Sequence, residues 1–533
     1  MQPCLRVLVR AAVLLLFAAA CAPAQQPAPA PREGASQGQP AAAAPAAAPS
    51  SAAASAPAGG QDEWVVGLSE EAASLDPGSG GAVAASTVAH THLFDALISY
   101  EPPNFTVVPL LAESWTVLDD RTWEFHLRKG VKFHNGDDFT AADVLYSFEV
   151  YEAPTSPRRH NLAGVTGIEQ IDPYTVRVTT DEPSPTLLAN LSYIWIVPRE
   201  AREKLGAEGF NQHPIGTGPY KFVEFTRGQQ LVLEANPDYW RGQVSPKRLV
   251  LRTITDPATR VAELKTGGVQ IIASPPAAQL NELQGGDTEV LTLKGARLIM
   301  HSFNTTKPPF DDVRVRQAVN YAVDRESILK SVLEGHGELL HGPFASSWLG
   351  YDPDLKPYPY DPAKAKQLLA EAGYPNGFET TFNHSVGAFL KDREIAEVVA
   401  SQLAQVGIRV RLVPTERAKI QEDWLNGTFD GITSAQWPTA SDPDPMIGWT
   451  LYKRKGHKPD DRLNGLIDQS RQTVDPEQRK RVLQELGRYV QDQAYWLFIH
   501  AQDDFVAKRK DVPWELSPTM TVGALRYYRL SPR

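Results

Sequence analysis

Cysteine is nearly missing from this chain of 533 residues: Cys4 and Cys21 are the only two, and both lie at the N-terminal end. The long body that follows has no thiol for a disulfide, a thiolate metal site or a cysteine nucleophile, so its fold must rest on a packed core. A basic excess is missing too. Asp and Glu outnumber Lys and Arg by 63 to 53, for a net charge of -10, which argues against nucleic acid as a partner. Beyond the N-terminal segment no apolar run is long enough to cross a bilayer. There is no phosphate-cradling loop, zinc-protease helix, dinucleotide fingerprint or calcium-loop spacing. No catalytic residue, cofactor or metal site is expected.

What the N-terminal segment does hold is ordered. Arg6 and Arg10 precede an apolar stretch from Ala11 to Ala20. At about ten residues it is a signal peptide, expected over 1–20, and too short to span a membrane. Ala18-Ala19-Ala20-Cys21 resembles a bacterial lipobox, with Ala18 in the place usually held by Leu. The resemblance implies acylation of Cys21, which would tie the mature protein to the outer face of a membrane. From Cys21 to Gln61 the composition is almost wholly Ala, Pro, Gln, Ser and Gly, which cannot bury a core. Residues 21–61 are expected to be a tether, with a root-mean-square span of about 35 Å. The stretch Gly34-Ala35-Ser36-Gln37-Gly38 matches a serine-hydrolase elbow, but no strand precedes it and no helix follows.

Periods of two and of 3.6 alternate from Asp62 onward, so strands and helices should be mixed. Strands are expected at Glu63–Leu68, Thr122–Leu127, Thr175–Thr180 and Gln230–Glu234. Helices are expected at Ala141–Tyr151, Val313–Leu333, Pro362–Ala372, Arg393–Val406 and Pro476–Gln491. Asp361-Pro362 and Asp475-Pro476 each place an Asp cap before a proline at the first helical position. Thr140 should cap the helix from Ala141 with its hydroxyl, and Gly373 and Gly407 should stop two others. His90-Thr91-His92 lies on a helical pattern, where the two imidazoles diverge, and is expected as surface or cleft-edge histidines rather than a metal site. The prolines of Asp442-Pro443-Asp444-Pro445 fix a turn, so structure or recognition suits that loop better than acid/base catalysis.

Ordered blocks carry a resemblance. Pro109-Leu110-Leu111-Ala112-Glu113-Ser114-Trp115 is followed by Trp123 through Gly136, which includes Lys129-Gly130-Val131-Lys132-Phe133-His134-Asn135-Gly136, and then by Thr140-Ala141-Ala142-Asp143-Val144. Gly216-Thr217-Gly218-Pro219-Tyr220, Asn236-Pro237-Asp238-Tyr239-Trp240, Pro309 through Ala318 and Ala363 through Tyr374 complete the series. Together they resemble the family 5 extracellular solute-binding proteins, the dipeptide-, oligopeptide- and nickel-binding components of ABC importers. The resemblance implies an α/β, two-lobed periplasmic-binding-protein fold with a hinge and an extra inserted domain. By analogy the first lobe would combine 62–99, 205–298 and 503–533, the inserted domain would be 100–204, and the second lobe 299–502. Most of these blocks read as scaffold, with the two glycines of the 216–220 block shaping a turn.

The resemblance also implies where ligand binds. Peptide binders of the family place Trp-x-x-Asp in the second lobe, the acid pairing with the peptide's α-amino group. Here the stretch runs from Ser434 through Gln436-Trp437-Pro438-Thr439-Ala440-Ser441-Asp442, so Trp437 matches while Ala440 stands where the acid should be. Asp442 is the expected substitute. His384 and Ser385, after a second-lobe strand, and Ser69 and Glu70, after the first strand, are the remaining candidates. A peptide is the expected ligand. An oligosaccharide or another small solute is the alternative, Trp424, Trp437 and Trp449 offering stacking faces for a sugar, and nickel is a poor fit because no histidine stands beside the Asp-Pro pairs. The partners implied are an ABC permease in the membrane and the bilayer itself through acylated Cys21, with the binding protein acting as a monomer. A lipid-anchored hydrolase is the rival class, and it would need a nucleophile and base or a carboxylate pair in the cleft.

Overall fold

In Glu63–Leu68 alternate side chains face inward, and the segment forms a strand running parallel to both Arg248–Thr253 and Ile271–Ala273. The computed structural model describes residues 62–79, 84–101, 106–385, 389–438, 442–516 and 525–531. Thr122–Leu127 and Thr175–Thr180 are strands as expected, and the fourth strand extends by one residue to Ala235. Four of the five expected helices are present, as Ala141–Glu152, Pro362–Glu371, Asp392–Ala404 and Pro476–Asp492. Asp361 and Asp475 accept the backbone N–H of Lys364 at 2.8 Å and of Gln478 at 2.7 Å, as N-caps should. At Thr140 it is the Asp143 carboxylate that reaches back, accepting from the Thr140 N–H at 2.9 Å and from its hydroxyl at 3.2 Å.

The segment 313–333 is not one helix. Val313–Ala322 ends at an extended Val323, Asp324 caps a new turn by accepting from the Ser327 N–H at 3.0 Å, and Ile328–Val332 closes as a π-helical turn. The break is held from outside, because the buried Arg325 guanidinium donates to the carbonyls of Phe498 at 2.6 Å and Asn320 at 2.8 Å, and to that of Tyr358.

Among the described residues the largest sheet has eleven strands. Its centre is a pair of long antiparallel strands, Thr288–Phe303 and Trp496–Arg509. Ile271–Ala273 continues the sheet on one side, followed by Glu63–Leu68 and Arg248–Thr253; Ile432–Pro438, Phe378–His384 and Ile408–Pro414 continue it on the other. Trp64, Phe94, Trp195, Tyr220 and Trp514 share one core beside the first strand. Met300, Trp424, Met446 and Phe498 share another, and Phe303, Phe382, Ile408 and Ile432 a third, on the far side. A separate core of Trp123, Phe125, Phe139, Phe148 and Val176 fills a four-stranded antiparallel sheet covered by Ala141–Glu152. No helix among the described residues is long and apolar enough to cross a membrane.

The sequence blocks at 134, 216–220 and 236–240 turn out to be one joint. Buried Asp95 accepts from Thr217 Oγ1 at 3.0 Å, the Tyr239 hydroxyl at 3.0 Å and Trp240 Nε1 at 2.9 Å. His134 donates through Nε2 to the Gly218 carbonyl at 3.0 Å and accepts the Gly216 N–H on Nδ1 at 3.2 Å. His90 and His92 correct the expectation of surface histidines. Both are buried in Ala84–Leu93, His90 Nε2 against the Ser74 carbonyl at 3.1 Å, and His92 between the Val88 carbonyl at 2.6 Å and the Tyr527 N–H at 2.9 Å. Their helix fits the pattern read above; His90 is covered by Trp195 and Phe94, and His92 by Tyr527 and Tyr528 of the C-terminal segment.

Candidate ligand site

Phe378–His384 runs parallel to Ile408–Pro414 and to Ile432–Pro438, so the carboxyl ends of three strands meet at one edge of the sheet. Open α/β sheets bind ligands outside such carboxyl ends. Here the ends open onto a cavity of about 360 Å³. Ser385 and Phe389 line it from beyond the first of these strands, and Ser434, Gln436 and Trp437 from the third. The helix Arg417–Asn426, which starts three residues after the second strand, adds Arg417, Gln421 and Trp424; Trp449 closes the rim.

The strand Ile432–Pro438 emerges from the core as it goes, buried through Ala435, half-buried at Gln436 and Trp437, exposed at Pro438. That gradient presents an amide and an indole to the cavity. Gln436 is held by Arg297, whose Nη1 donates to Oε1 at 3.0 Å, while Nη2 of the same guanidinium reaches Asp504 at 3.2 Å. Ser434 Oγ lies 3.1 Å from His301 Nδ1. Burial drives the His301 pKa down to about 3, far too low for a general base near neutral pH. Trp424 is buried, with Nε1 donating to Ser302 Oγ at 3.1 Å and the Arg454 guanidinium 3.7 Å from its ring centroid. Trp449 is 58% exposed at the mouth.

A second cavity of about 480 Å³ adjoins the first through Phe389. Ser274, Pro275, Phe389, Leu390, Lys391 and Phe505 are among the residues lining it. Its two carboxylates are engaged. Asp503 accepts from Lys294 Nζ at 2.7 Å and from the Gly295 N–H at 3.0 Å, and Asp504 pairs with Arg297.

Of the residues singled out from sequence, Trp437, Gln436, Ser434 and Ser385 come together around the first cavity. His384 is buried behind them, its Nδ1 2.8 Å from the Ser385 carbonyl, and lines neither cavity. Ser69 and Glu70 are exposed and also line neither, Glu70 accepting the Ala85 N–H at 3.3 Å. Asp442 corrects the expectation of a substitute acid. It is only 4% exposed, and both its oxygens bond to Arg479, at 2.5 and 2.8 Å, while it also accepts the Asp444 N–H at 2.9 Å. A carboxylate that is buried and paired in two bonds with a guanidinium, and bonded to a helix start, is not presented to a ligand's ammonium. Arg417, Phe389 and Gln421 were not among the candidates; counting three residues past the second parallel strand would have found Arg417. Cys21, the tether and the stretches 386–388 and 439–441 lie outside the described residues.

The site is thus a cavity of about 360 Å³ at the carboxyl ends of three parallel strands, lined by hydroxyl, amide and indole side chains. Residues 106–458 match the model for bacterial extracellular solute-binding proteins, family 5. The chain is 31% identical over 442 residues to heme-binding protein A of Haemophilus influenzae, covering 76% of this chain and 81% of that one. It is 32% identical over 465 residues to di/tripeptide-binding protein 2 of Pseudomonas aeruginosa, covering 80% and 87%. Its fold is similar to the solved structure of HbpA2 from Haemophilus parasuis, with a TM-score of 0.79, 27% identity, and coverage of 88% of this chain and all of that one. The chain belongs to the family 5 extracellular solute-binding proteins, and it is not an enzyme.

Proposed function

We propose that this chain is the lipid-anchored, extracytoplasmic binding component of an ABC importer, capturing peptides between two closing lobes and delivering them to a membrane permease. The observation that carries this reading is the cavity at the carboxyl ends of three parallel strands, which shares Phe389 with a second cavity. An amide, a hydroxyl and an indole there, from Gln436, Ser434 and Trp437, suit a peptide's mix of polar backbone and apolar side chains. One relative is named as a di/tripeptide-binding protein. Lobe bounds of 62–99, 205–298 and 503–533 against 299–502, with 100–204 inserted, go with the proposal, as do a 21–61 tether and acylation at Cys21.

The test is a thermal-shift screen of the purified full-length chain against di- to pentapeptides and oligosaccharides. Ligand at 100 times its dissociation constant adds about 2.7 kcal/mol of stability. Stabilisation by peptides supports the reading. Stabilisation by sugars alone replaces it with the oligosaccharide alternative, which the two indoles of Trp437 and Trp449 at one mouth favour. For the anchor, Cys21→Ser should move the expressed protein from the membrane fraction to the soluble one.

A further inference from the structure

Three strands bring Asp504, Arg297 and Gln436 onto one face of the large sheet. Arg297 is paired with Pro438 on one side and with Gln502 on the other, so Gln436 and Asp504, each two residues along from those partners, are its diagonal neighbours. The register sets the contacts. Arg297 Nη2 donates to the two Asp504 oxygens, at 3.3 and 3.2 Å, and Nη1 donates to Gln436 Oε1 at 3.0 Å. The buried Asp504 carboxylate thus anchors the guanidinium, and the guanidinium holds the amide.

That contact decides which end of the amide a ligand meets. A side-chain amide has an acceptor oxygen and a donor NH2, whereas a guanidinium has donors alone. Turned the other way, the Gln436 NH2 would stand donor to donor against Nη1, so the oxygen is committed to Arg297. Nε2 of Gln436 has no hydrogen-bond partner among the described residues, and Gln436 lines the first cavity. The two hydroxyls of that cavity are engaged, Ser385 Oγ donating to Asp392 at 2.8 Å and Ser434 Oγ lying 3.1 Å from His301 Nδ1. We propose that Arg297 is a positioning residue that locks Gln436 as a hydrogen-bond donor: the ligand group that meets Gln436 is an acceptor, a carbonyl oxygen where the ligand is a peptide, and a donor-only group such as an ammonium is refused there. This rests on the cavity being the binding site proposed above and names the chemistry that one wall of it reads.

The experiment is equilibrium titration of the full-length chain, followed by tryptophan fluorescence, with Ala-Leu-Phe, its two monothioamides, in which sulfur replaces one peptide oxygen, and Ala-Leu-phenylalaninol, which lacks the terminal carbonyl. In the unaltered chain one of these three changes should weaken binding about three- to tenfold, the worth of a single hydrogen bond. Gln436→Met should bind Ala-Leu-Phe more weakly by the same factor and erase that one difference, leaving the others as they were. Gln436→Glu, which offers the cavity only an acceptor, should lose about tenfold or more. Arg297→Met frees the amide to turn and should shrink the difference, and Arg297→Lys should restore most of it; a merely structural arginine would alter stability and leave the difference intact. The Gln436 variants keep the Asp504–Arg297 pair and carry the test where Arg297→Met does not fold. A Gln436→Glu chain that binds the tripeptide as well as the unaltered one, or differences untouched by Gln436→Met, overturns the inference and leaves peptide capture standing. If none of the four peptides binds, peptide capture fails; 3-phenylpropionamide against 3-phenylpropylamine then decides, a preference for the amide that reverses in Gln436→Glu upholding the inference and any other result overturning it.

Discussion

Asp442 and Arg479 hold each other in a buried, bidentate pair, and Arg479 also donates to the Ser470 carbonyl at 3.0 Å. Removing one partner leaves the other charge unpaired in the interior. Asp442→Ala should therefore cost about 3 to 5 kcal/mol in urea unfolding, whereas replacing both residues by apolar ones of similar volume should cost far less. Ligand affinity of the folded fraction should not change, which separates this pair from a ligand contact. The buried histidines set the acid limit. Burial holds His90 and His301 at about 3 and His92 and His500 at about 4, below their usual 6.5. Between about pH 6.5 and 4 the unfolded chain takes protons that the folded one refuses, so stability is complete above that window and falls through it. Each such histidine contributes at most about 1.4 kcal/mol per pH unit, and below the folded value the loss levels off. Urea midpoints at pH 7.5, 6 and 5 check this, and His301→Gln should lower the slope by one histidine's share.

At the scale of elements, the helix Ala84–Leu93 ends against the turn at Gly216 and Gly218. A Cβ on Gly218 would sit 2.4 Å from the Leu93 carbonyl carbon, and one on Gly216 2.0 Å from the Leu93 oxygen. Backbone cannot yield as a side-chain tip does. Gly218→Ala should cost about 1 to 3 kcal/mol or more in thermal unfolding, although alanine is otherwise a small change. These two glycines were legible as turn-formers; that they are also a point of close approach depends on a helix more than a hundred residues earlier in the chain. The same division runs through the rest of the molecule. Helices starting at Pro362 and Pro476 could be placed because their caps, Asp361 and Asp475, are adjacent in sequence. The break at Val323 could not, because Arg325 is anchored by the Phe498 carbonyl across the lobe. Ser385, Ser434, Gln436 and Trp437 were within reach because they follow strands or sit in a motif. Arg417 was hidden in a polar run, and Asp442 misread, since its partner lies 37 positions away.

For the whole molecule the question is where two lobes that share a sheet could bend. The long strands Thr288–Phe303 and Trp496–Arg509 form the centre of the large sheet, and their register shifts between Leu293 and Arg297. Gly295 occupies the break at a φ of +58°, a left-handed conformation glycine adopts readily. Its N–H is taken by the fully buried Asp503 carboxylate, which also pairs with Lys294. Lys294 is 64% exposed, so the ion pair adds little, while the buried backbone N–H is costly to orphan. Asp503→Asn keeps an acceptor for Gly295 and should lose well under about 1 kcal/mol, whereas Asp503→Ala should lose about 1 to 3 kcal/mol. Hydrogen exchange at Gly295 should quicken in Asp503→Ala and not in Asp503→Asn. If closure turns on this break, saturating ligand should shrink the radius of gyration in small-angle scattering and slow exchange at 294–297 together. Shrinkage without a change in exchange there would move the hinge to another crossing.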